Sequence, residues 1–286
     1  MGFVLLTHED GPHLLRLVER LNALYDEPLI VCHHDVSRSA APKLPGDVHF
    51  VVDAVRTQWG GWSIVEAWMA ALRVFAQQPS VPDWVTLLSG SDYPTASAAT
   101  VFSQLEGEAA DAHLEFRSVE LGSADPWVRN RAGRYLGWRW WLGPLAPERR
   151  VNRSVGPTGP LATRLLSPFG RGLDCYAGSM WFSANHKAVD ALLDSGSRMP
   201  RLARRYRHVF CPDESYPHTV LGNTPGVVVC AHSHRYVDWS PGHPKTLRDD
   251  DLSAIENSAA WFARKFASNC SGPVCDRVDE MVGLTA

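Results

Sequence analysis

The stretch FVLLTH (Phe3–His8), with LIVCHHD (Leu29–Asp35) after it, decides the fold. Each is an unbroken apolar run that ends in polar residues, as in a strand buried on both faces whose carboxyl end meets solvent. Between them, the segment after Pro12 sets Leu14, Leu17, Val18, Leu21 and Leu24 on one helical face. VHFVVD (Val48–Asp53) repeats the strand pattern, and WVTLLSGSD (Trp84–Asp92) repeats it again. Gly60 and Gly61 break the chain before a further helix. It opens at Ser63 with Glu66 three residues on, in capping-box form, and carries the stripe Ile64, Val65, Trp68, Met69, Leu72, Phe75. This alternation predicts an α/β fold around a central, mostly parallel sheet covered on both faces. Ligands of such sheets bind beyond the carboxyl ends of the strands, where His8, Asp35, Asp53 and Asp92 fall.

The second half is less regular. HLEFRSV (His113–Val119) and SMWFSA (Ser179–Ala184) read as strands, and so do VVVCAH and RYVDW later on. A Trp- and Arg-rich piece runs from Trp127 to Trp141. The Gly/Pro-rich basic stretch 151–172 has little apolar periodicity and is expected to be a flexible loop. Lys187–Leu193 and Asp213–Leu221 read as short helices. Asp251–Phe266 reads as a closing helix, with Leu252, Ile255, Ala259 and Phe262 at helical spacing.

Composition narrows the class. A hydrophobic fraction of 45% over 286 residues supports a substantial core and excludes a disordered chain. Lys+Arg 28 against Asp+Glu 31 leaves no basic footprint for nucleic acid. No run is long and apolar enough to span a bilayer, and the chain opens directly on a strand. The six cysteines lack framework spacing, with Cys270 and Cys275 the one local pair. A reduced, cytoplasmic protein is the expectation, with the sequons at Asn152 and Asn269 as chance matches.

Glu214 stands in FCPDESYPHTVL (Phe210–Leu221), where a proline before two acids and an apolar run predicts the first turn of a helix. On this motif alone Asp213 and Glu214 read as well as capping acids. Cys230, His232 and His234 alternate, so on one strand they would share a face and could chelate zinc, although no common zinc spacing is matched.

Six segments are more specific together than apart: RTQWGGWSIVEA (Arg56–Ala67), LLSGSDYP (Leu87–Pro94), GSMWFSANHKAV (Gly178–Val189), PDESYPHTVLGN (Pro212–Asn223), RYVDW (Arg235–Trp239) and WFARKF (Trp261–Phe266). In this order the chain resembles the core 2/I-branching β-1,6-N-acetylglucosaminyltransferases and peptide O-xylosyltransferases, over about residues 3–267. The resemblance implies a GT-A type glycosyltransferase fold with a Rossmann-like nucleotide-binding half. It implies one catalytic domain over 1–286, with a nucleotide-sugar half at 1–95 and an acceptor and catalytic half at 96–286. The animal members are Golgi proteins with anchors and disulfides, so the chain is expected to be a soluble, bacterial-type form.

The implied activity is inverting, metal-independent transfer of a sugar, N-acetylglucosamine or xylose, from a UDP-sugar to an acceptor hydroxyl. No cofactor and no metal are expected. The expected partners are a nucleotide-sugar donor and a small-molecule or glycan acceptor. By resemblance Glu214 is the catalytic base, and Arg264 and Lys265 hold the donor diphosphate. His8, Asp35, Trp59 and Asp92 lie on the donor side, and Glu115, Trp181 and Asp213 on the acceptor side. The branching enzymes carry one more arginine, in a histidine–arginine context upstream of the basic pair. Lys245 is taken as its nearest equivalent, with Arg248 second. The rival readings are a zinc-dependent hydrolase built on Cys230, His232 and His234, and a sugar-binding module without turnover.

Overall fold

The computed structural model describes residues 1–136, 168–240, 242–269 and 273–284. Most of the expected loop 151–172, Trp138 to Trp141, the Asn152 sequon and the Cys270–Cys275 pairing lie outside these residues. Strands β1 (Gly2–Thr7), β2 (Ile30–His34), β3 (Val48–Phe50), β4 (Trp84–Ser89) and β5 (Asp92–Pro94) come first. They are followed by β6 (Ala112–Leu114), β7 (Arg117–Ser118), β8 (Tyr176–Ala177), β9 (Phe182–Asn185), β10 (Val229–Cys230), β11 (Arg235–Val237) and β12 (Phe262–Arg264). The described helices begin with α1 (Pro12–Tyr25), α2 (Ser63–Ala76), α3 (Ala98–Gly107), α4 (Pro126–Tyr135) and α5 (His186–Leu193). Then come α6 (Ser195–Arg198), α7 (Pro200–Tyr206), α8 (Tyr216–Gly222), α9 (Leu252–Asn257) and α10 (Pro273–Met281). No described helix is long and apolar enough to cross a membrane.

Backbone contacts divide the chain into two units that are discontinuous in sequence, unlike the contiguous halves 1–95 and 96–286. The first comprises Met1–Arg56, Ala70–Ala110 and Ser233–Ala286; the second comprises Thr57–Met69 and Asp111–His232.

In the first unit β1 lies between β2 and β4 and pairs parallel with both, and β3 continues the sheet from β2. Buried apolar side chains of β1 and β2 (Phe3, Leu5, Ile30, Cys32) share one core with Leu14, Leu17, Val18 and Leu21 of α1. Burying each such aliphatic side chain contributes roughly 1.5–3 kcal/mol. The strand-then-polar reading of the N-terminal segments therefore holds: β1 ends at Thr7 before His8, and β2 ends at His34 before Asp35. A smaller sheet has β12 at its centre, parallel to β11 and antiparallel to β5.

Two expectations in this unit are corrected. WVTLLSGSD is not one strand: β4 stops at Ser89, and after Gly90 and Ser91 the chain enters β5 at Asp92. Asp251–Phe266 is not one helix either. Helix α9 ends at Asn257, Ala259 takes a left-handed conformation with φ 50°, and WFARKF becomes strand β12. The periodicity that suggested a helix arises because Ile255 and Phe262 are buried in the same core from two different elements.

In the second unit β6 pairs parallel with β10 and antiparallel with β9, and β7 pairs antiparallel with β8. HLEFRSV is thus two short strands with Glu115 and Phe116 between them. Tyr135, Tyr206 and Tyr216 are fully buried; the Tyr206 hydroxyl meets Ser215 Oγ at 2.7 Å and the Tyr216 hydroxyl donates to Ser195 Oγ at 2.8 Å. VVVCAH is a strand only at Val229–Cys230.

Candidate active site

In the second unit the segment Phe210–Leu221 turns twice before it becomes helical. Cys211 adopts φ 51°, its N–H donates to the Gly60 carbonyl at 2.9 Å, and Pro212–Glu214 form a single 3-10 turn. Ser215 then breaks the geometry, and α8 starts at Tyr216. Asp213 and Glu214 are therefore not in the first turn of the following α-helix, and neither side chain caps it.

The two carboxylates face different surroundings. Asp213 is 7% exposed, and its Oδ1 has no hydrogen-bond partner among the described residues. Burial, reinforced by the neighbouring Glu214 charge, pushes its carboxyl up to about 7. A side chain so enclosed is unsuited to contact an acceptor, which corrects its expected role. Glu214 keeps 28% of its side-chain surface exposed. Its Oε2 accepts from Arg134 Nη1 at 3.0 Å and from Arg131 Nη2 at 3.4 Å, both on α4. No described residue donates to Oε1. Helix α4 owes its position to a Pro at its first turn and to Asp125, whose Oδ1 accepts from the Trp127 N–H at 2.7 Å.

Gly178 ties the expected acceptor strand to this turn. Its N–H donates to the Glu214 carbonyl at 3.0 Å, and a Cβ there would collide with the carbonyl oxygen of Glu115. Glu115 is half-buried and receives the Ser179 N–H on Oε2 at 3.0 Å. His218 packs close by; burial pushes its imidazole down to about 3, so it is neutral. Trp181, expected at the substrate, is 5% exposed and belongs to the core. Trp59 is the reverse: it is 59% exposed, edge-on to Phe210 with ring centroids 5.3 Å apart.

In the first unit Asp92 is fully buried and organises a cationic cluster. Its Oδ2 receives the Ser89 N–H and, at 2.7 Å, the Ser89 hydroxyl. Its Oδ1 lies 3.0 Å from Arg235 Nη1 and 3.4 Å from Arg264 Nε. The register explains the second pairing, because Arg264 of β12 stands directly opposite Asp92 of β5. Burial lowers both guanidiniums from the ordinary arginine value, and the Asp92 charge opposes that shift. Lys265 follows Arg264 and is exposed. Asp92 is thus the counter-ion of two arginines, with both oxygens engaged, rather than an open cleft acid.

Arg235, which the sequence showed only as part of the RYVDW segment, is the buried partner of Asp92 that sequence reading missed. Lys245, the expected third cation, keeps 36% of its side chain exposed and pairs with Asp251 at 2.5 Å and Asp238 at 3.7 Å. Arg248 accompanies it only as backbone, its N–H donating to Asp251 at 2.9 Å.

Asp35 is buried at the end of β2 and folds its carboxylate onto its own turn, accepting from the Ser37 N–H at 3.1 Å and the Ser37 hydroxyl at 2.6 Å. His8 is exposed beside Glu9. The Cys230, His232, His234 trio does not share one strand face. Strand β10 ends at Cys230, His232 is exposed, and His234 stacks on Trp261 at 3.9 Å before β11 begins.

Residues 143–258 match the family model Branch, the Core-2/I-Branching enzyme. Over that stretch the chain resembles the Core-2/I-branching enzymes. The chain is 25% identical over 246 residues to beta-glucuronosyltransferase GlcAT14A of Arabidopsis thaliana, covering 82% of this chain and 50% of that protein. Over 304 residues it is 21% identical to xylosyltransferase 1 of Homo sapiens, covering 97% of this chain and 28% of that protein. The chain thus spans half or less of the length of these curated relatives. Among solved structures, mouse xyloside xylosyltransferase 1 in its apo form aligns over 96% of this chain and 99% of its own at 14% identity. The TM-score is 0.36, too low for its fold to be carried over. Glu214, Arg235 and Lys245 lie inside the matched family region, whereas Arg264 and Lys265 follow it.

Proposed function

We propose that the domain is an inverting glycosyltransferase that moves a sugar from a UDP-sugar to an acceptor hydroxyl, with Glu214 as the base and no metal. The observation that carries this reading is the geometry of Glu214: Oε2 is fixed by two guanidiniums while Oε1 has no described donor. Single displacement needs one base that takes the acceptor proton as the oxygen attacks the anomeric carbon. A carboxylate anchored through one oxygen and open at the other suits that task.

The leaving nucleoside diphosphate gains negative charge as the glycosidic bond breaks. Arg264 and Lys265 supply fixed cations for it, with Lys245 kept as the third candidate, while Arg235, 2% exposed, serves as a buried partner of Asp92. Asp92 stands where a metal-dependent relative of the fold would place a chelating acid. With both of its oxygens engaged by Ser89 and the arginines, it supports charge stabilisation by guanidinium in place of a divalent ion. His8, Asp35 and Trp59 are kept on the donor side and Glu115 on the acceptor side. The names of the similar proteins support xylose or glucuronate as the donor sugar beside N-acetylglucosamine.

The test is transfer from each of the three UDP-sugars in excess EDTA, with donor hydrolysis followed in parallel. Persistence of turnover supports the reading; abolition by EDTA with rescue by Mn²⁺ overturns its metal-free part. Donor binding with neither transfer nor hydrolysis would favour a sugar-binding module instead.

A further inference from the structure

Glu214 is outnumbered. Arg131 and Arg134, three residues apart on α4, both donate to the same oxygen, Oε2. Among the described residues neither guanidinium has another carboxylate within ion-pair distance. Two cations therefore share one anion, in a chain whose formal net charge is −3. The longer contact, 3.4 Å from Arg131, is well beyond the usual charge-assisted distance of about 2.7–2.9 Å.

Neither guanidinium depends on Glu214 to stay in place. Arg131 lies over the Trp127 ring at 4.3 Å, and Arg117 lies over the same ring at 4.3 Å. Arg117 is itself paired with Asp125 at 2.5 Å, so it is already neutralised. Arg134 lies over Phe210 at 5.4 Å and over Tyr135 at 5.7 Å. Aromatic faces hold cations by electrostatic attraction and leave the donor edge available. Both arginine side chains remain about one-fifth exposed, at 21% and 19%, so a ligand can reach them. The arrangement is a preformed fork of planar donors, of the kind that binds a carboxylate through several parallel hydrogen bonds.

We propose that Arg131 and Arg134 form a recognition site for a sugar carboxylate, occupied by Glu214 in the resting protein and taken over by a uronate when substrate binds. The inference rests on the reading of this turn as the catalytic one and names the substrate chemistry it selects. A neutral sugar that displaced Glu214 would leave two guanidiniums without a counter-charge, whereas a uronate replaces the lost partner. The carboxylate belongs either to the acceptor or to the donor sugar, and the two sources are separable.

The binding arm needs no turnover. Methyl β-glucuronide and methyl β-glucoside are titrated calorimetrically into the wild-type chain, Glu214→Gln, Arg134→Ala and Arg131→Ala, with folding checked by thermal unfolding. UDP-glucuronate and UDP-glucose are titrated in a second arm. Removing the internal competitor should tighten the anionic ligand, so the glucuronide, the UDP-glucuronate or both bind Glu214→Gln more tightly than wild type. Loss of either arginine weakens that same ligand by about tenfold or more, the scale of one charged hydrogen bond. The neutral ligands change little. Selectivity confined to the glycosides places the carboxylate on the acceptor, and selectivity confined to the UDP-sugars places it on the donor. If neither pair discriminates, or Glu214→Gln leaves the affinity for both anionic ligands unchanged, the proposal is overturned. That comparison requires no arginine variant to fold. Failure of the base assignment would appear separately, as normal turnover in Glu214→Gln.

Discussion

Asp213 and Glu214 are adjacent in sequence but differ in solvent access, and each predicts a separate outcome on substitution. Glu214→Gln keeps the shape of the side chain but cannot accept a proton, so kcat should fall by roughly 10²–10⁴ at saturating donor, with the affinity for a neutral donor such as UDP-glucose nearly unchanged. Near-normal turnover would remove Glu214 from the mechanism. For Asp213→Asn a smaller loss of kcat is expected, because Asp213 is enclosed behind the turn. Its effect should appear in stability against pH. The folded carboxyl titrates at about 7, against 3.8 for the ordinary group. Below both values the two states hold the proton equally and the group contributes nothing. Between them the unfolded chain releases its proton while the folded chain keeps it, so wild-type stability declines as pH rises from about 4 to about 7, and the penalty is full above that. Asp213→Asn should abolish this decline, raising stability above pH 7 by roughly 2–4 kcal/mol relative to its effect at pH 4. Denaturant unfolding across this range decides it; parallel pH profiles for variant and wild type would show that Asp213 does not titrate there.

At the scale of elements, Gly178 is where two segments come too close for a side chain. Gly178→Ala places a methyl group against the Glu115 carbonyl and must disturb the N–H bond to the Glu214 carbonyl. A cost of roughly 1–3 kcal/mol is expected from the overpacking. A fall in kcat should accompany it, measured by denaturant unfolding and initial rates; wild-type values in both would mean that the backbone there adjusts freely. Such close approaches are invisible in sequence, which offers only a glycine before Ser179. What was legible followed from local chemistry. The strands β1 and β2 and the helices α1 and α2 announced themselves through unbroken apolar runs or helical stripes, with polar residues, prolines or glycines at their ends. WFARKF was misread because nothing in Asn257–Ala260 punctuates the chain; the break depends on Ala259 taking a left-handed conformation that alanine seldom adopts. Trp181 departs from expectation for a related reason. Residue type sets a burial preference, but only the tertiary neighbours decide that Trp181 is enclosed and Trp59 is open.

At the scale of the whole molecule, a sequence pI near 6.4 conceals cations gathered in two places, one in each compact unit. In the first unit the cluster is Asp92 with Arg235 and Arg264, where one buried carboxylate offsets one of two guanidinium charges. Removing the carboxylate charge tests its part in the fold and in donor binding together. Asp92→Asn leaves two enclosed guanidiniums without their counter-ion, which should lower stability by roughly 3–5 kcal/mol. A metal-ligating acid predicts otherwise, with little loss of stability in a metal-free buffer and a lost response to Mn²⁺. If the cluster serves the donor diphosphate, UDP supplies the missing negative charge. Thermal unfolding with and without UDP, in EDTA, should then show a larger UDP-induced rise for Asp92→Asn than for the wild-type chain. At a hundredfold its Kd a ligand stabilises by roughly 2.7 kcal/mol, so an increment of this size is measurable. Arg264→Ala and Lys265→Ala should each shrink the wild-type rise. An equal UDP response in Asp92→Asn and wild type, with Arg264→Ala and Lys265→Ala also unchanged, would move the diphosphate away from this cluster. Asp92 would then be a structural counter-ion and no more.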